Sequence, residues 1–196
     1  MNYTAIFVPG IADDIGYVQS TLVRLWRFRK LSGQTHVMPW AGSGNYDAAA
    51  ERLDKHVGRL HNQGKSVVLV GASAGATAVL NAYCANRDKI VAVILICPKV
   101  NDSTNINDAI LKKNPAFKTS IELAEKNQPT LTAEDRQRFS IFISPRDGLV
   151  SKVDSLIPQV PTSLLVPLRH NLAILYALLF GFGRLRAEVT RITAQQ

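Results

Sequence analysis

The chain has 196 residues, 46% of them hydrophobic and 19% charged, and carries a formal net charge of +8. That length most simply makes one domain with one large core, and the composition excludes a disordered chain. Two cysteines, Cys84 and Cys97, are too few for a disulfide framework; lying in apolar stretches, they read as buried free thiols and point to a reducing, cytoplasmic setting.

The start, Met1-Asn2-Tyr3-Thr4, has no basic leader, so no signal peptide is expected. An apolar strand is predicted over 4–8, running into Pro9-Gly10-Ile11. A helix follows with Ile15, Val18, Leu22 and Leu25 on one face and Gly33 as its stop. Arg24, Arg27, Arg29 and Lys30 form a first basic cluster there. A short strand over 35–38 contains His36, which reads as structural. The next helix carries Ala49, Leu53, Val57 and Leu60 inward, with His56 and His61 on its surface and Gly64 after it.

A strand over 66–70 then enters Gly71-Ala72-Ser73-Ala74-Gly75, followed by a small-residue helix over 74–85. A nucleophilic serine needs this setting. A sharp strand-to-helix turn lifts the hydroxyl above the sheet edge, and glycines two residues either side let strand and helix backbones approach. The turn also aims the Ala74 N–H, at the positive end of the helix, toward a developing oxyanion. A further strand is predicted over 90–96. The stretch 98–138 then breaks the rhythm: it holds no strand, only polar sequence with short amphipathic pieces, and reads as a lid-like insertion.

The strand predicted over 139–143 opens into Ser144-Pro145-Arg146-Asp147-Gly148. The last strand, over 163–166, precedes a loop bearing His170 and then an apolar run from Leu172 to Phe182, too short to cross a bilayer. A second basic cluster, Arg184, Arg186 and Arg191, closes the chain. These clusters read as solvated helix faces or as an attraction to anionic surfaces. No nucleic-acid module accompanies them, and none is expected as a partner.

Strands alternating with helices predict a three-layer α/β/α sandwich around a mostly parallel sheet of about six strands. In such a sheet Ser73, Asp147 and His170 fall on loops at one edge. His170 is the one histidine topologically suited to take a serine proton, and Asp147 is suited to fix its tautomer; Asp102 is the reserve acid. The pattern resembles the α/β-hydrolase superfamily, whose order of nucleophile, acid and histidine is matched by Ser73, Asp147 and His170. It is closest in layout to the small, cap-poor serine hydrolases.

By that resemblance the N–H of Ile11 is the second oxyanion donor beside Ala74. Pro9-Gly10 stands where many members have His-Gly, and Ala72 where many have a large residue. The resemblance implies cleavage of a carboxylic ester or thioester through an acyl-serine, with no metal or organic cofactor and a small acyl substrate. Phe117, Ile121 and Leu149 could wall an acyl pocket or simply fill the core. Amide cleavage, acyl transfer and a non-catalytic binding protein of the same fold are the rival readings.

Overall fold

In the computed structural model, residues 3–11, 13–26, 31–42 and 45–194 are described; Arg27, Arg29 and Lys30 of the first basic cluster lie outside them. Six strands, β1 (Tyr3–Val8), β2 (Ser32–Thr35), β3 (Ser66–Ala72), β4 (Ile90–Ile96), β5 (Phe139–Ile143) and β6 (Thr162–Leu164), form one sheet in the order β2-β1-β3-β4-β5-β6. Every pairing is parallel, so all six C-terminal ends lie along one edge. The strands are runs of Val, Ile, Leu and Phe because both faces are covered, as a parallel sheet requires.

Side-chain alternation divides the core in two. Ile6, Val67, Leu69, Val93, Leu95 and Ile141 face a layer made by α2 (Tyr46–Asn62), α3 (Gly75–Ala85) and α5 (Pro115–Asn127). Phe7, Val68, Val70, Ile94, Ile96 and Phe142 face α1 (Asp13–Leu25), α8 (His170–Leu179) and α9 (Phe182–Thr193). The Tyr3 hydroxyl and Thr193 Oγ1 are 2.8 Å apart, which fastens the first strand to the last helix. No helix among the described residues is long and apolar enough to cross a membrane.

Two expectations are corrected. The second strand covers Ser32–Thr35, not 35–38, because Ser32 to Thr35 pair with Thr4 to Phe7 while Met38 and Trp40 turn down into the core beyond the strand's end. Gly33 therefore does not stop a helix. It lies within β2, where any side chain would strike the Val23 backbone carbonyl of α1.

The segment 98–138 carries two 3₁₀ turns and the helices α4 (Asp108–Lys113), α5 and α6 (Ala133–Gln137). Within it α5 packs firmly on α3. Thr77 Oγ1 and Ser120 Oγ are 2.6 Å apart, Asn81 Nδ2 donates to Ser120 O, and Phe117, Ile121 and Ala124 are buried. Helix α4, by contrast, buries no residue.

Candidate active site

Strand β3 ends at Ala72, and Ser73 follows with φ of +51°, a left-handed conformation that a residue with a side chain holds only under tertiary constraint. The neighbouring glycines are required by contact. A Cβ at Gly71 would stand 2.7 Å from Ala76 Cα, and one at Gly75 would strike the Val8 carbonyl oxygen. One at Gly10 would stand 2.7 Å from Ser73 Cβ, so the turn after β1, which carries Ile11, lies against the serine. Ser73 N–H donates to Ile96 O at 3.0 Å, and Ser73 O accepts from Lys99 N–H at 3.3 Å. The serine itself is half-buried, and Ala74 caps α3.

Asp147 stands in the turn after β5. Its carboxylate meets His170 Nδ1 at 2.8 Å through Oδ2 and 2.9 Å through Oδ1. Oδ1 also accepts the N–H groups of Val150 at 2.7 Å and Leu149 at 3.1 Å, and His170 N–H donates to Asp147 O at 3.0 Å. Burial alone would raise the Asp147 carboxyl. The bonds from His170, Val150 and Leu149 outweigh it and hold the group below the ordinary carboxylate range. An ionised Asp147 fixes the proton of a neutral imidazole on Nδ1 and leaves the lone pair on Nε2.

His170 is the first residue of α8 rather than a loop residue, and it is buried. Its Nε2 is buried without a hydrogen-bond partner among the described residues. The structure thus brings Asp147 and His170 together. No hydrogen bond joins Ser73 Oγ to His170, although both stand at the same sheet edge. Asp102, the reserve acid, is exposed and spends its carboxylate on Thr104 Oγ1 and Asn105 N–H.

Two neighbours were not anticipated. Cys97 follows β4, between the strands that carry Ser73 and Asp147, with φ of +46°. Its thiol lies close to the Asp147 carboxylate, and burial first, then that negative charge, pushes it up to about 12. Cys97 Sγ, an Asp147 oxygen and a His170 ring nitrogen lie within 4.8 Å of one another. In this arrangement the carboxylate is engaged by His170 Nδ1. The topological signal was available, since residue 97 ends a strand at the same edge.

Lys99 is the second neighbour. Its ammonium lies 2.9 Å from Asp154, both side chains being nearly buried, while Val100 and Asn101 N–H groups donate to Asp154 O. This ties the chain beneath Ser73 to α7 (Lys152–Ser155).

An open cleft of about 680 Å³ lies beside Asp147, lined by Ser144, Leu149, Lys152, Ser155 and Leu164, but it reaches neither Ser73 nor His170. Phe117 packs edge-on to Trp40 at 6.0 Å, and Ile121 is buried in the same core cluster; neither lines this cleft, whereas Leu149 does.

No protein-family model matches the chain, and no curated protein does. Solved structures do match. Monoacylglycerol lipase from Paleococcus ferrophilus aligns with a TM-score of 0.69 at 12% identity, over 96% of this chain and 94% of that one. A soluble variant of monoglyceride lipase from Saccharomyces cerevisiae gives 0.65 at 12%, over 98% and 88%. An alpha/beta superfamily hydrolase from Oenococcus oeni gives 0.61 at 18%, over 97% and 94%. The chain has the α/β-hydrolase fold.

Proposed function

We propose that this chain is a serine hydrolase that cleaves a carboxylic ester or thioester through an acyl-serine intermediate. The observation that carries the reading is the buried Asp147–His170 pair, its Nε2 lone pair uncommitted, at the edge where Ser73 is held in a strained turn. In this reading Ser73 Oγ attacks the acyl carbon and its proton passes to His170 Nε2. The carbonyl electron pair moves onto oxygen, facing the N–H groups of Ile11 and Ala74. The imidazolium then gives its proton to the departing alcohol or thiol, and water repeats the sequence to free the acid and the serine.

The lipase and hydrolase structures that share the fold support this choice over other α/β chemistries. We read the chain as one domain, with 98–138 inserted between β4 and β5 and its covering part confined to the exposed α4. The two free cysteines support a reducing, cytoplasmic setting.

One observation favours a non-catalytic protein of the same fold, namely the unformed bond between Ser73 and His170. A fluorophosphonate probe separates the two. Labelling of folded wild type, absent in Ser73→Ala, is the result expected of the hydrolase; an unlabelled folded wild type would favour the binding protein.

A further inference from the structure

Helix α8 is apolar on both sides. Ala173, Ile174, Ala177 and Leu178 face the core, while Leu172 (55% exposed) and Leu179 (39%) face outward, followed by Phe180 (69%). Leu175 and Tyr176, both half-buried, lie between them, and Tyr176 stacks on Phe180 at 5.5 Å. On α1, Val18 and Leu25 are 48% and 47% exposed. Trp26 Nε1 donates to Leu178 O, joining the C-terminal turns of the two helices. Leu25, Leu179 and Phe180 therefore belong to one end of one layer. Single exposed apolar side chains are ordinary; a helix with no polar face is not.

Basic residues predominate near the Leu25 and Phe180 end of this face, while α1 opens with Asp13 and Asp14. After Asp14 no acidic residue occurs before Leu31, and Arg24 lies in the last turn of α1 beside exposed Leu25. Arg169 precedes α8, and Arg184 and Arg186 lie exposed on α9. The acid nearby on α9, Glu188, is paired with Arg191 at 2.8 Å.

We infer that the outward face of α1 and α8 docks on an anionic lipid surface. Its leucines and Phe180 enter the boundary between headgroups and acyl chains, and the arginines hold the negative headgroups. A second copy of the chain is a poor occupant, because a two-fold contact would set Arg24, Arg169 and Arg186 against the same residues. A soluble acidic partner would answer the arginines but not the outward leucines. The docked helix begins at His170, two residues before Leu172.

Flotation of the full chain with vesicles tests this inference without any need of catalysis. Binding is expected to vesicles of phosphatidylcholine with about a third phosphatidylserine, and to fall sharply with pure phosphatidylcholine or at high salt. Arg186→Glu should weaken binding at least about fivefold, and Phe180→Ser about tenfold, with urea midpoints unchanged because both side chains are exposed. Failure to float with anionic vesicles, or equal binding to neutral ones, would overturn the inference. So would a concentration-dependent dimer in sedimentation equilibrium that Phe180→Ser dissolves.

Discussion

Asp147 shares its two oxygens among His170, Val150 and Leu149, with the Cys97 thiol close by. An amide there would offer an N–H where His170 needs an acceptor, turning the imidazole to the wrong tautomer. Asp147→Asn should therefore lower kcat about 10⁴-fold with little change in KM, read from aryl-ester kinetics. Ser73→Ala or His170→Ala should lower turnover by about three to six orders of magnitude while circular dichroism shows an intact fold. Cys97 is fully buried and its thiol protonated, so a disulfide reagent at pH 8 should leave it untouched until denaturant is added. Prompt reaction of Cys97 in the native protein would mean that its burial beside Asp147 is wrong.

At the scale of elements, the glycines divide into those that admit a neighbour and those that do not. Gly75 has the Val8 carbonyl where a methyl group would go, so Gly75→Ala should destabilise the protein by about 1–3 kcal/mol in urea titration. Gly58, inside α2, faces open space; Gly58→Ala should stabilise by about 0.5–1 kcal/mol.

The same contrast explains what could be read from residue order. Buried parallel strands announce themselves as unbroken apolar runs, so β1, β3, β4 and β5 were legible, and with them the turn at Ser73 and the loop at Asp147. β2, whose residues are Ser-Gly-Gln-Thr, carries no such signal, because its place is set by backbone pairing to β1 and by the room that Gly33 leaves for α1. The apolar side of α5 was legible in Phe117 and Ile121, but its polar seam was not, since Ser120, Thr77 and Asn81 satisfy one another across two helices. Cys97 was legible only as a thiol, and its partnership with Asp147 depends on two strands lying side by side.

For the molecule as a whole, acid is the condition to examine. His36 is pushed down to about 4 by burial first, and then by His56 and Arg52; His56 is lowered as well. The unfolded chain thus binds protons between pH 6.5 and about 4 that the folded chain refuses. Stability contributed by these rings is complete above pH 6.5 and is lost as pH falls toward 4, by about 1–2 kcal/mol once solvent screening of a half-buried ring is allowed for. Urea midpoints measured across that range should fall, and His36→Gln should flatten the slope.

The bond between Tyr3 and Thr193 has a consequence for engineering. A short flexible linker from α9 to β1 would span this contact, and the polypeptide could then be opened at the exposed turn around Gly64 between α2 and β3. Such a circular permutant should keep its heat-capacity peak. It would begin with the strand that leads into Ser73 and read the layers of the sandwich in a new order.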